Sequence, residues 1–238
     1  AIIVSLVGSE MCIRDRGCTE GFNFLANSIC KDLNAGDEII LSEIEHHANI
    51  IPWQMAAAKY NLKINYINVS ESFELDFDHL ESLLNKNTKV VSIVGESNIS
   101  GMLPDIKKIN SLVKDKTDAV YIVDGAQLVP HRKIDVQDLG IDFLCVSGHK
   151  MLGPTGIGVV WGRKDLLENL DPVYGGGDMI EEVFYDTATW APIPHKFEAG
   201  TPPYVEAIGL GAAVDYLSNL DMNCLLYTSD AADERLGV

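Results

Sequence analysis

The chain has 238 residues, 47% of them hydrophobic and 22% charged, with a formal net charge of −17. That length suits one large domain or two small ones, and that apolar content supports a substantial core and argues against disorder. The acidic balance argues against nucleic acid or an anionic membrane surface as the main partner, because phosphates are held by Lys and Arg; a small anionic ligand needs only a local positive site.

Five cysteines, Cys12, Cys18, Cys30, Cys145 and Cys224, are scattered without a C-x-x-C pair. The pattern fits a reducing, cytoplasmic setting better than a disulfide framework. No apolar run approaches the length of a membrane span, and the apolar start Ala1 to Val7 lacks the basic leader of a signal peptide.

Taken in chain order, Ser5 to Asp15 (SLVGSEMCIRD) has no clear periodicity, and neither has Cys224 to Glu234 (CLLYTSDAADE). Both resemble translations of transposase adapter DNA. The codons ATG TGT ATA AGA GAC encode Met11 to Asp15, and their reverse complement, shifted in frame and extended by the base opposite the first A of an AGA or AGG codon for Arg16, contains TGT CTC TTA TAC ACA, which encodes Cys224 to Thr228. Two unrelated protein ends should not encode one inverted repeat. Residues 1–16 and 224–238 are therefore expected to be adapter-derived, and residues 17–223 to be an internal piece of a longer protein. Cys12 and Cys224 carry no functional weight on that reading.

Gly17 to Asn27 (GCTEGFNFLAN) offers two glycines, Thr19 and an apolar-periodic helix, a composition suited to binding an anion at a helix start. Asp37 to Glu43 predicts a strand after the turn Ala35-Gly36. His46 to Tyr60 predicts a helix broken near Pro52. Lys63 to Val69 alternates as a strand, Phe77 to Leu84 has helical spacing, and Lys89 to Gly95 reads as a buried strand. A helix opening at Pro104 places Ile106, Ile109 and Val113 on one face. Ala119 to Gly125, Asp142 to Gly148 and Gly156 to Gly162 predict further strands. Val205 to Leu217 is a nearly all-apolar helix and is expected to be buried.

Strands alternating with helices, the strands continuously apolar, predict an α/β fold with helices on both faces of the sheet. In such sheets ligands bind outside the carboxyl ends of the strands. Asn98, Asp124 with Gln127, and Ser147 with His149 and Lys150 stand at those ends. An amine held away from water is a nucleophile that forms a Schiff base with an aldehyde, and a neighbouring carboxylate can hold a protonated pyridine nitrogen. Pyridoxal phosphate needs that pair, with hydroxyls and a helix start for its phosphate. Each signal alone is weak: a lysine after a strand is more often a solvated loop residue, and an aspartate there a turn former. Their joint order carries the reading.

Plainer roles suit other residues. Adjacent His46 and His47 do not face one another as a metal pair would. Gly175-Gly176-Gly177 reads as a turn rather than a phosphate cradle. Trp53 and Trp190 line the cleft or pack in the core or an interface. Cys30 and Cys145 read as small core residues.

VDGAQ (Val123 to Gln127) followed by SGHKMLGPTGIG (Ser147 to Gly158) resembles the class V aminotransferase family of fold-type I pyridoxal-phosphate enzymes. EHHANIIPWQ (Glu45 to Gln54), Thr155 in GPTG, and FEAGTP (Phe197 to Pro202) resemble its SUF-type, or group II NifS-like, cysteine desulfurases. The resemblance covers residues 17–223. It implies the fold-type I large domain, a mainly parallel sheet of the seven-stranded type, with the small C-terminal domain missing. It implies that Lys150 holds the cofactor aldehyde, Asp124 pairs with the pyridinium nitrogen, Gln127 donates to the ring hydroxyl oxygen, and His46 stacks on the ring and relays protons. It implies that Thr19, beside Cys18, binds the phosphate with Ser147 and His149, and that Asn98 lies near the ring and substrate carboxylate. Thr201 would reach the phosphate of the neighbouring subunit's cofactor in a homodimer. Cys18 departs from the family pattern GTTEG, which has Thr there.

The implied reaction converts L-cysteine to L-alanine and an enzyme persulfide, whose sulfur passes to sulfur-carrier and iron–sulfur assembly proteins. Selenocysteine lyases and other class V aminotransferases or lyases share the scaffold; a non-catalytic scaffold protein is the reading from a different class. The family's nucleophilic cysteine and substrate-binding arginines belong to its C-terminal part, and none of the five cysteines here matches that loop. The chain is expected to keep the cofactor scaffold and to lack the sulfur chemistry.

Overall fold

The computed structural model describes residues 10–220; Cys224 and the expected adapter-derived stretch 224–238 lie outside the described residues. Seven strands form one sheet: β1 (Glu10–Asp15), β2 (Glu38–Ser42), β3 (Lys63–Ile67), β4 (Thr88–Val94), β5 (Val120–Asp124), β6 (Phe143–Ser147) and β7 (Gly158–Arg163). Their order is β1-β7-β6-β5-β4-β2-β3. β2 to β6 pair in parallel, while β7 runs antiparallel to both β6 and β1. The mainly parallel sheet agrees with the expectation. The edge strand β1 is built from residues of the adapter-like stretch.

Around the sheet lie α1 (Cys18–Cys30), α2 (Ile51–Tyr60), α3 (Phe77–Leu83), α4 (Ile106–Lys116), α5 (Leu128–His131), α6 (Val136–Leu139), α7 (Lys164–Asn169) and α8 (Tyr204–Ser218). Strand alternation sends side chains to two cores. Ile40, Val91, Tyr121, Val123, Leu144 and Val146 pack with α4 and α8 on one face. Ile39, Leu41, Val90, Ile122, Phe143 and Cys145 pack with α1 and with Trp53 of α2 on the other. β2 and β6 are buried along their whole length, which is why they read as unbroken apolar runs. At the amino end of β6, buried Asp142 accepts the Tyr121 N–H (2.8 Å), Lys114 Nζ (2.5 Å) and Arg163 Nη1 (2.9 Å), tying β5, β7 and α4 together.

Three local expectations are corrected. Pro52 starts α2 instead of breaking a helix: a 3-10 turn over His47–Asn49 precedes it, and proline's missing N–H costs nothing in a first turn. α4 is capped by Asp105, whose carboxylate accepts the Lys108 N–H, with Pro104 just outside. α8 is not buried all round. Leu210, Ala213, Val214 and Leu217 face the core, while Tyr204, Val205, Ile208 and Tyr216 are exposed, Ile208 by 75%. An all-apolar helix needs a second apolar neighbour, and the described residues supply only one. The strand pattern also missed a small hairpin of β8 (Ile180–Val183) and β9 (Ala188–Trp190).

Candidate active site

β5 ends in Asp124, β6 ends in Ser147, and β1 leads through Gly17 into the start of α1, all at the carboxyl end of the sheet. Asp124 lies two residues after Ile122 and Ser147 two after Cys145, so both point to the face that α1 covers. The Cys18 N–H donates to Ser147 Oγ at 2.9 Å. Gly17 makes that approach possible. Its φ is +133°, and a Cβ there would sit 3.2 Å from Ser147 Oγ. No side chain of the segment itself caps α1, so first-turn N–H groups stay available to an anion, aided by the helix dipole.

Asp124 is 3% exposed, and one of its oxygens accepts the Ala126 N–H at 2.9 Å. Burial raises its carboxyl pKa; the Ala126 hydrogen bond and the nearby charges of Lys150 and His46 pull it back. A buried carboxylate with that one backbone partner has acceptor capacity left for a cationic N–H.

Lys150 is half-buried in a 3-10 turn, Gly148–Met151, directly after β6. The turn is held tightly against the next segment. The Gly148 N–H donates to Ile157 O (2.9 Å), the Gly153 N–H to Gly148 O (3.0 Å), and a Cβ on Gly148 would lie 2.7 Å from Ile157 O. His149 is exposed beside it.

His46 enters from the loop after β2. Its Nδ1 accepts the Ala48 N–H at 3.1 Å, so a neutral ring carries its proton on Nε2. Gln127 is half-buried just before α5; Asn98 and Thr19 are exposed, in the loop after β4 and the first turn of α1. Asp124, Ser147, Cys18, Lys150 and His46 thus come together from four segments. Thr201 stands apart, lining a groove of about 480 Å³ with Glu20, Gly156 and Tyr174. A small apolar cavity of about 40 Å³, lined by Val129, Leu144, Met151, Trp161 and Leu210 among others, holds no titratable group.

Sequence reasoning missed Glu45, which is 5% exposed. It accepts hydrogen bonds from Ser42 Oγ (2.5 Å), Asn49 Nδ2 (2.7 Å) and the Val94 N–H (2.9 Å). Burial pushes its carboxyl up to about 8 against those three bonds. An acid directly after an apolar strand and before His46 was the available signal. Trp53 belongs to this network: it is fully buried and donates Nε1–H to Asn49 Oδ1 at 2.9 Å, whereas Trp190 is exposed on β9. Cys30 and Cys145 are core residues, as expected. Burial raises the Cys30 thiol to about 12 and the Cys18 and Cys145 thiols well above their ordinary value.

The arrangement fits pyridoxal phosphate: an amine, a buried carboxylate with spare acceptor capacity, and a glycine-led helix start meet at the carboxyl end of the sheet. The aminotransferase class-V family model matches residues 9–236. A probable cysteine desulfurase of Streptomyces coelicolor is 42% identical over 224 residues, 92% of this chain and 53% of its own length. The crystal structure of the cysteine desulfurase CsdA from Escherichia coli superposes with a TM-score of 0.86 at 40% identity, over 89% of this chain and 53% of that one. The apo cysteine desulfurase of Thermococcus onnurineus gives 0.90 at 31%, over 100% and 61%. The chain therefore spans about half the length of the curated relatives it matches. Its match to the family model over residues 9–236 makes it a member of the aminotransferase class-V family.

Proposed function

We propose that the chain is the cofactor-binding part of a pyridoxal-phosphate-dependent cysteine desulfurase. The observation that carries this reading is the meeting of Lys150, buried Asp124, Ser147 and the start of α1 at one end of the sheet; the likeness to cysteine desulfurases over half their length supports it. When bound, the cofactor supplies an electron sink for bonds at the substrate's α-carbon. Lys150 Nζ would hold the cofactor at its aldehyde carbon. Asp124 accepts the ring N–H and gains a cation that offsets its own burial. Ser147, His149, Thr19 and the N–H groups near Cys18 hold the phosphate, and Gln127 donates to the ring hydroxyl oxygen. His46 covers the ring and moves protons through Nε2; Asn98 lies toward the substrate carboxylate.

The sulfur step needs a thiolate. The described thiols Cys18, Cys30 and Cys145 are all buried with raised pKa, so none supplies one near neutral pH. Those three described thiols then take no part in releasing sulfur from L-cysteine. We extend the proposal to a cytoplasmic homodimer, with Thr201 serving the partner's site and the exposed side chains of α8 covered by further protein, and to iron–sulfur assembly proteins as sulfur acceptors. Among the described residues no helix is long and apolar enough to cross a membrane. We also propose that residues 1–16 and 224–238 are adapter-derived; the shared coding repeat supports this, as does Asp15 at the end of β1, whose Oδ2 is enclosed without a hydrogen-bond partner. Long-read sequencing of the source DNA tests that point: a native reading frame running unbroken into both ends refutes it.

Borohydride reduction after incubation with pyridoxal phosphate, followed by peptide mass mapping, tests the site. Label on Lys150 is expected; label on another lysine, or none, refutes the assignment.

A further inference from the structure

His46 is exposed, and its own loop closes only through local bonds, Ala48 N–H to His46 Nδ1 and Asn49 N–H to His46 O (2.8 Å). Its anchor is the residue before it. Glu45 Oε1 accepts the N–H of Val94, the last residue of β4, and Oε2 accepts Asn49 Nδ2. Asn49 Oδ1 is in turn held by Trp53 Nε1 (2.9 Å) and Ser92 Oγ (2.6 Å). Val94 is the register partner of Asp124, and the adjacent Gly95 N–H donates to Asp124 O at 2.9 Å. One continuous set of hydrogen bonds therefore links the backbone under Asp124 to the turn that carries His46. Asn49 Nδ2 and the Val94 N–H can only donate, so each Glu45 oxygen accepts a bond, while the Ser42 hydroxyl, which can also accept, has room for the proton that burial favours.

We propose that Glu45 is the positioning residue for His46: its carboxyl group locks the turn over His47–Asn49 to the carboxyl ends of β4 and β5, and so fixes where the imidazole stands relative to Asp124. The inference rests on the cofactor site proposed above only for its consequence, not for its geometry. Glu45→Gln places an amide NH₂ against Asn49 Nδ2, two donors face to face, and Asn49 cannot flip without abandoning Trp53 and Ser92. Glu45→Gln/Asn49→Asp restores every bond: Asp at 49 accepts from Gln at 45, Trp53 and Ser92, while Gln at 45 still accepts from Ser42 and Val94.

The test is long-range ¹H–¹⁵N correlation of the imidazoles in the full 238-residue chain, followed by the rate of pyridoxal phosphate release. The unaltered chain should show His46 as the Nε2–H tautomer with Nδ1 accepting. Glu45→Gln should move these signals toward those of a free imidazole and speed cofactor release about tenfold, the loss of roughly one hydrogen bond's worth of restraint. The double variant should restore both. Unchanged His46 signals in Glu45→Gln, or a double variant that regains thermal stability without regaining them, overturns the proposal and leaves Glu45 a core group. If Glu45→Gln does not fold, Ser42→Ala, which removes a single donor, must shift the same signals in the same direction, and unchanged signals again overturn it. Failure of the cofactor reading shows separately, as no label on Lys150 in the unaltered chain while the imidazole signals still respond.

Discussion

Replacing Asp15 by threonine should stabilise the fold by an amount that grows with pH. Asp15 ends β1, and its Oδ1 accepts the Gly17 N–H at 2.8 Å. Its Oδ2 is enclosed without a partner, where a Cβ on Gly21 would lie 2.7 Å from both Oδ2 and Val160 Cγ2. Burial raises the carboxyl from 3.8 to about 8, with the Gly17 bond opposing and the charge of Glu20 adding. The folded chain thus holds a proton that the unfolded chain has released. Stability is full below the unfolded value and falls as pH rises toward about 8, by about 1.4 kcal/mol per pH unit. By pH 6 the loss is about 3 kcal/mol and by pH 7.5 about 5 kcal/mol, order-of-magnitude figures from the same linkage. Threonine keeps an oxygen for the Gly17 N–H, sets a methyl against Val160, and carries no proton. Urea unfolding of both chains between pH 4.5 and 7.5 reads the difference. A gain of about 3 kcal/mol at pH 6 that increases with pH is expected. A gain that does not depend on pH, or none at pH 7.5, would show that water reaches the carboxyl and that the misfit is not real.

Gly158→Ala should prevent stable folding, because its Cβ would come within 2.5 Å of Gly17 Cα and Val146 O, both backbone; a far-ultraviolet thermal melt matching that of the unaltered chain refutes the close approach of α1 and β7. Asp142→Ala should cost about 1–3 kcal/mol in denaturant unfolding, since it leaves the buried Tyr121 N–H without an acceptor and takes one partner each from Lys114 and Arg163; no measurable loss would mean that water replaces the lost acceptor. Trp53→Phe should cost about 1–3 kcal/mol through the lost donor to Asn49 and the space left behind, measured the same way. Cys18, Cys30 and Cys145 should resist a disulfide reagent at pH 8 until denaturant is added; rapid labelling of any of the three, located by peptide mapping, contradicts their burial.

What could be read from the sequence was local. Strands β2, β4, β5 and β6 announced themselves as apolar runs because both of their faces are covered. Lys150 and Asp124 were legible because each follows such a run, and the carboxyl ends of parallel strands share one edge. Pro52 was misjudged because a proline that starts a helix and one that breaks it differ only in what precedes them, here the turn over His47–Asn49.

The amino-acid sequence by itself determined the α/β class and the strand-end residues Asp124, Ser147 and Lys150, since these follow from hydrophobic period and chain order; the mainly parallel sheet was implied by the family resemblance. Only the tertiary structure decided that β7 runs against its neighbours, that α8 leaves one apolar side open, that Asp15 is misfitted beside Gly21, and that Glu45 joins His46 to the strand beside Asp124. Each of those depends on which groups meet across space, and a buried carboxylate's meaning is set by the donors that reach it.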